Sequence, residues 1–179
     1  MATPPSFTAG AVLTAAQMNS VGLWLVKSQT IGSAVSSVTV TDAFSADFDN
    51  YKIIVSGGVA STLVDLNFVL TGSTANYYQS QIISSYATGA VTGAGTAAGS
   101  SWTVGYGSTS ALNANIDIQG PNLAKTTQFS CARPTMTTSG SAVFVSGFHN
   151  VTTAYTGLTI TTSSGTITGG TIKVYGYRN

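Results

Sequence analysis

The segment L-N-A-N-I-D-I-Q, residues 112–119, alternates apolar and polar side chains without interruption. Successive side chains of an extended chain point to opposite faces. The pattern therefore predicts a β-strand with one buried face and one face in contact with water. The segment L-V-D-L-N-F-V-L, residues 63–70, alternates in the same way from Val64 onward and carries the same prediction.

Comparable alternation continues along most of the chain after residue 35. It predicts strands near residues 36–41, 51–56, 78–86, 101–106, 126–132, 141–149, 158–162 and 171–177. With about ten strands and almost no helix between them, we expect an all-β fold, an antiparallel β-sandwich of jelly-roll-like type.

Glycine-rich stretches predict the turns. Gly169 and Gly170 lie between two alternating runs, and two adjacent glycines suit a tight turn with positive φ, so we expect a C-terminal hairpin there. Residues 88–101 contain many glycines and have no hydrophobic period, which predicts an exposed loop.

The segment 141–149 has apolar residues on both faces of its predicted strand. Val143 and Val145 would point one way, and Phe144 and Phe148 the other. Such a strand is expected to be covered on both sides, and another subunit could provide the second cover. This is one reason to expect a homo-oligomer.

The N-terminal residues differ from the rest, because they predict a short helix. Thr14 and Gln17 have the spacing of a capping box, and Leu13 and Met18 have that of a hydrophobic staple, so a helix is expected to begin at about residue 15. The segment is too short and too polar to span a bilayer. We therefore expect no membrane insertion.

This helix carries more apolar side chains than one contact face needs. It either packs on its own domain or docks against other chains. We predict a docking arm with its helix at residues 1–30 and a β-sandwich body at residues 31–179. The predicted docking residues are Leu13, Met18, Val21, Trp24 and Leu25.

The composition excludes several kinds of partner. Only 6% of the 179 residues are charged, with a net charge of +1. Phosphate neutralisation requires clustered Lys or Arg, and the six in this chain are dispersed, so we expect no nucleic acid. Cys131 cannot form an intrachain disulfide because the chain has no second cysteine. The alternating sequence around it predicts a buried side chain.

Catalytic and metal-binding patterns are also weak. The chain has no glutamate, one histidine and one cysteine, which are too few ligands for a zinc site. The turn containing Asp42, Asp47 and Asp49 lacks the spacing of a calcium loop. We expect no catalytic residues, no metal and no cofactor; an esterase or depolymerase that uses His149 is the remaining enzymatic alternative.

Aromatic side chains are the best candidates for recognition. Tyrosine and tryptophan beside Ser and Asn are typical of adaptable binding surfaces, and sugars stack well on such rings. The alternative is that most of these rings lie in the core or cap the sheet edges. The candidate residues for contact with a host glycan are Tyr77, Tyr78, Tyr86, Trp102 and Tyr106.

Three segments resemble small structural proteins of tailed bacteriophages, of the tail-fibre, minor tail or head-decoration kind. They are F-T-A-G-A-V-L-T-A-A-Q-M-N-S-V-G at residues 7–22, F-D-N-Y-K-I-I-V-S at 48–56 and G-G-T-I-K-V-Y-G-Y-R-N at 169–179. The resemblance implies a virion protein whose N-terminal element attaches to the particle and whose β-rich body often trimerises.

We accordingly expect a non-enzymatic virion structural protein, most readily a tail-fibre or appendage subunit located on the tail or capsid surface. Its expected partners are copies of itself in a trimer, other virion proteins and a host surface glycan. A capsid decoration protein and a carbohydrate-binding module are the alternatives.

Overall fold

A computed structural model describes residues 22–177, together with residues 10 and 12. The fold is all-β, and every strand pairing within it is antiparallel. The strands are β1 (Leu23–Thr30), β2 (Ser37–Val40), β3 (Asn50–Ser56), β4 (Val59–Ala60), β5 (Val64–Leu70), β6 (Tyr77–Ser85), β7 (Val91–Gly99), β8 (Trp102–Gly107), β9 (Leu112–Gln119), β10 (Thr127–Pro134), β11 (Ser141–His149), β12 (Leu158–Thr162), β13 (Ile167–Thr168) and β14 (Thr171–Tyr177).

Twelve of these strands belong to one continuous sheet, which has two parts. The long run has the order β1-β14-β3-β9-β10-β11-β6-β7, and the short run has the order β2-β12-β5-β8. The two runs meet where β8 pairs with β9. The remaining strands, β4 and β13, form a separate two-stranded sheet.

Strand β9 has the predicted bounds and joins the two runs. One of its edges pairs with β3. Its other edge is shared, because β8 pairs with its first residues and β10 with its last, beginning at Ile116 opposite Cys131. A Cβ on Gly105 of β8 would lie 2.5 Å from Asn113 O, so only glycine allows this close approach.

The core lies between the two runs and is centred on Trp102. The Trp102 ring stacks on Phe68 and on Phe129, at centroid distances of 5.6 and 4.3 Å, and meets the Tyr77 ring edge-on at 5.1 Å. Phe68 and Trp102 belong to the short run, whereas Tyr77 and Phe129 belong to the long run. The indole Nε1–H donates a hydrogen bond to Tyr78 O.

The helix prediction is wrong where the structure describes it. Residues 23–26 begin β1, which pairs antiparallel with β14, for example Leu25 with Tyr175. Hydrogen bonding to a neighbouring strand overrides the weak local helix preference of this apolar segment. Residues 13–21, the rest of the predicted helix, lie outside the described residues. No helix long and apolar enough to cross a membrane occurs in the part of the chain that the structure describes.

Two of the turn predictions also require correction. Residues 88–101 are exposed as expected, but they contain strand β7 instead of forming a loop. Gly169 and Gly170 both have positive φ, as predicted, yet the flanking strands do not form a hairpin. Strand β13 pairs with β4, while β14 pairs with β1 and β3, so this turn carries the chain from the small sheet to the large one.

We predict that Trp102→Ala lowers the free energy of unfolding by about 3 to 5 kcal/mol, because it leaves a cavity between the two runs. Tyr86→Ala is the matched control, since that ring is 48% exposed and its loss is expected to change stability by less than about 0.5 kcal/mol. Urea denaturation of both variants measures the difference. Similar stability of the two variants would contradict the central place of Trp102.

Candidate functional site

The five predicted glycan-contact aromatics do not form one surface. Tyr77 and Trp102 are fully buried, so neither offers a ring face to a ligand. Tyr78 is partly buried, Tyr86 is exposed, and Tyr106 lies opposite Asp65 in the short run. The burial of Tyr77 and Trp102 follows from the alternation of their strands, since both side chains point to the face that packs in the core.

The face of the long run that points away from the core carries a different aromatic pair. Tyr78 of β6 and Phe148 of β11 are directly opposite each other in the ladder. Their rings are nearly parallel, with an interplanar angle of 2° and a centroid distance of 4.9 Å. This distance equals the spacing of neighbouring strands, so the rings stack along the direction that joins the strands.

A second apolar pair lies four residues further along the same two strands. Ile82 of β6 opposes Phe144 of β11, and their side chains are 58% and 62% exposed. Ser80 and Ser146 oppose each other between the two pairs. We call Tyr78, Ile82, Phe144 and Phe148 the outer-face patch.

Polar side chains border the outer-face patch on the neighbouring strands. Gln128 of β10 lies opposite Phe148, and Gln119 of β9 lies opposite Gln128. Together with Ser130, Ser146 and Phe148, the two amides line a shallow depression. One face of the Phe148 ring stacks on Tyr78, and the residue is 39% exposed where it lines this depression.

A charged group lies next to the depression, where Asp117 of β9 is opposite Ser130 of β10. Lys52 forms an ion pair with Asp117 at 3.1 Å, and the Tyr177 hydroxyl donates a hydrogen bond to the same carboxylate. The hydrogen bond to Asp117, together with burial and the negative charge, raises the pKa of Tyr177 to about 12. The phenol therefore stays neutral and keeps its proton on the donor side of this bond at physiological pH.

His149 lies on the opposite, core-facing side of β11 and is fully buried. Its Nε2 is 3.0 Å from Ala75 O and 2.7 Å from Ser73 Oγ. A carbonyl oxygen can only accept, so Nε2 carries the proton and the ring is not arranged to take a proton from Ser73. Its Nδ1 has no partner among the described residues. Burial lowers the pKa of His149, which favours the neutral ring.

Other reactive groups are dispersed in the part of the chain that the structure describes. No three His, Cys, Asp or Glu side chains of these residues lie close enough together to hold a metal ion. Cys131 is buried as predicted, and burial raises the pKa of its thiol to about 12. A thiol with such a pKa is a poor nucleophile because the thiolate is scarce at neutral pH.

The predicted docking residues fall mostly outside the described structure. Leu13, Met18 and Val21 belong to the residues that are not described. Trp24 and Leu25 are on β1 and are each about half exposed. Both side chains are accessible to a partner, but they lie on an edge strand and not on a helix.

Comparison with known proteins does not identify the chain. No protein-family model matches it, and no curated protein or solved structure has significant similarity to it. The assignment of a function therefore depends on the residues themselves. Ile82, Phe144 and Phe148 were not among the predicted site residues, although the apolar character of both faces of segment 141–149 already indicated an unusual exposed face.

We predict that stability falls as the pH drops below the ordinary histidine pKa of about 6.5, because the unfolded chain binds a proton that the buried His149 resists. Above that pH the contribution is fully present. The slope for one proton is at most about 1.4 kcal/mol per pH unit. Urea denaturation between pH 5.5 and 7.5 measures it.

The chain contains one histidine, which makes His149→Phe a clean control for this titration. Whatever the absolute stability of the variant, the slope of its stability against pH in this window is expected to be near zero. A slope that persists in the variant would show that another group causes it.

Proposed function

We propose that this chain is a non-enzymatic structural subunit of a tailed-bacteriophage virion, most readily of a tail fibre or related appendage. Two lines of argument support the proposal. The segments at residues 7–22, 48–56 and 169–179 resemble such proteins. Only 6% of the residues are charged and the net charge is +1, which suits a subunit held within an assembly.

The single observation that carries the proposal is the outer-face patch. Ile82 and Phe144 are more than half exposed, and the stacked Tyr78 and Phe148 lie one strand-spacing apart beside them. Large exposed apolar side chains that adjoin one another mark interaction sites, whereas single ones do not. Another protein of the particle, or another copy of this chain, is the proposed cover.

We infer that the body is an antiparallel β-sandwich, with the short run packed against the long run. The stacking of Trp102 on Phe129 across the core supports this inference. The jelly-roll-like connectivity and the division at residue 30 stay predictions. Because residues from Leu23 onward belong to β1, the proposed docking arm is best tested on the residues before it.

The oligomer number and the place in the particle rest on the resemblance alone. A homotrimer projecting from the tail is the leading form of the proposal. A capsid decoration protein is the alternative, in which the outer-face patch would pack against a neighbouring capsomer. Electron cryo-microscopy of the particle that contains this chain separates the two, because it shows both position and symmetry.

We predict that deletion of residues 1–21 leaves a folded β body that no longer joins the particle. The deletion keeps β1 and therefore the edge of β14 covered. Particles are assembled with the shortened chain, purified and assayed for it by mass spectrometry, and circular dichroism reports the fold. Deletion of residues 1–6 is the control, because it ends before the segment that resembles phage proteins. Full incorporation of the longer deletion would refute the docking arm.

A second candidate function is recognition of a host surface glycan, and the depression beside Phe148 favours it. The free face of this ring can stack on a sugar, and the amides of Gln119 and Gln128 can donate to and accept from its hydroxyl groups. An aromatic ring beside polar amides is the kind of site predicted for glycan contact. Of the five predicted residues, only Tyr78 contacts the Phe148 ring.

We predict that Phe148→Ala weakens binding to host cell-surface polysaccharide by about tenfold or more, since it removes the stacking platform. Tyr106→Ala is the control, because that ring lies in the short run. Isothermal titration calorimetry with purified polysaccharide measures both. Equal losses in the two variants, or no binding by the unaltered protein, would remove the glycan hypothesis and leave the structural role.

A further inference from the structure

Strand β7 ends the long run with an open hydrogen-bonding edge. It pairs with β6 on one side, and no described strand pairs with it on the other. Both of its faces are exposed along nearly its whole length. Natural edge strands are usually protected by charges, prolines or a cover. Strand β7 contains neither charge nor proline, and no charged residue occurs anywhere in residues 66–116.

The backbone groups that this edge leaves unpaired can be identified. Ser85 N donates to Ala90 O, which makes this a hydrogen-bonded pair at the start of the ladder. Pairs alternate along an antiparallel ladder, so Gly93 and Gly95 belong to pairs whose N–H and C=O groups point away from β6. These groups are therefore directed outward from the edge of the sheet.

The chain's own fold does not explain the two glycines. Neither has a positive φ. A Cβ at Gly93 would come no closer than 3.8 Å to Gln81 O, and one at Gly95 no closer than 3.5 Å to Gln79 O, which are ordinary contacts. A glycine within a strand often marks the close approach of another backbone. The approaching backbone would lie along the open edge of β7.

The sequence of β7 identifies a second copy of the same strand as the partner. Residues 92–96 read T-G-A-G-T, which is the same in both directions around Ala94. Antiparallel pairing of two copies about Ala94 would place Gly93 opposite Gly95 and Thr92 opposite Thr96. The outward groups of the two glycines then form the hydrogen-bonded pairs, and the threonines form the cross-strand contacts that stabilise a sheet.

We propose that two copies of this chain associate edge to edge through β7, around a two-fold axis that passes beside Ala94. The pairing is isologous, because each copy contributes the same strand to the contact. It joins the two long runs into one sheet. The proposal does not depend on the virion assignment, and isolated protein is sufficient to test it. A contact of this kind produces dimers, or a hexamer if the chain also forms trimers.

The first test places charges at the axis. Ala94 is exposed, so Ala94→Lys and Ala94→Asp are compatible with the folded chain, but each puts like charges opposite one another across the axis. Each variant alone is expected to raise the dissociation constant about fivefold or more, and a mixture of the two is expected to restore association as a heterodimer. Native mass spectrometry and sedimentation over a concentration series measure both effects. Thr109→Lys, an exposed loop change, is the matched control.

The second test traps the contact and reads its register. The facing Ala94 residues form a pair without hydrogen bonds, with Cα atoms about 4.5 Å apart, which is within the range of a disulfide. Ala94→Cys is expected to form a covalent dimer on mild oxidation, because the native Cys131 is buried. Thr92→Cys alone is expected to remain uncrosslinked, since its counterpart is Thr96. A mixture of Thr92→Cys and Thr96→Cys is expected to crosslink.

Several outcomes would overturn the proposal. A monomer at all concentrations together with no crosslinking of Ala94→Cys would refute the contact. A trimer with no larger species, whose oligomeric state is the same in Ala94→Lys, would show that the chains associate elsewhere. Crosslinking of Thr92→Cys alone, at a rate equal to that of Ala94→Cys, would refute the register. Loss of virion incorporation has no bearing on these results, so the two proposals fail separately.

Discussion

The shared edge of β9 is the constraint on which the rest of the structure depends. Two strands can hydrogen-bond to the same edge of a third strand only if they pair with different parts of that edge. Strand β8 pairs with the first residues of β9, and β10 pairs with its last residues. The two runs therefore diverge from one strand, and Gly105 allows the approach where they do so. The space between them is filled by Trp102, whose Nε1–H also holds Tyr78 O. The same side chain thus closes the core and positions the strand that carries half of the outer-face patch.

Alternation in the sequence predicted the strands that have one buried and one wet face, but it did not predict their partners. The segment now seen as β9 was predicted with its correct bounds, and β5 to within one residue, because one face of each is apolar and the other polar. Gly169 and Gly170 correctly predicted a turn, yet pairing is decided by distant residues, and the adjoining strands belong to different sheets. Strand β7 gave no signal because neither of its faces is buried, so no hydrophobic period was selected. For β1, hydrogen bonding to β14 outweighed a local pattern that favoured a helix.

The candidate site shows the same limit at the level of single side chains. Alternation divides the side chains of a strand into two sets, but it cannot tell which set faces the core when both are apolar. In β11 the valines are buried and the phenylalanines exposed, although phenylalanine is the larger apolar side chain. Trp102 and Tyr77 were candidates for a surface site together with Tyr78, with a position in the core as the alternative. Both side chains point to the core-facing side of their strands and are fully buried, so the alternative holds for them. The doubly apolar segment 141–149 indicated the two phenylalanines of the outer-face patch. Which side chains of β6 lie beside them is known only from the register between β6 and β11.

The outer-face patch and the open edge of β7 are adjacent, and their geometry connects them. Strand β6 carries Tyr78 and Ile82 and is the one strand between β11 and β7. Two antiparallel strands paired within one sheet are related by a two-fold axis perpendicular to that sheet, so both copies keep their outer faces on the same side. In a pair formed through β7, the two patches would therefore face the same direction. Gly93 and Gly95 of the two copies would lie between them. Two equivalent sites on one surface bind a repetitive partner more tightly than either does alone, because the second contact is intramolecular. A capsid lattice and a bacterial cell surface are both repetitive, which is why an even-numbered assembly would strengthen either form of recognition without any new contact.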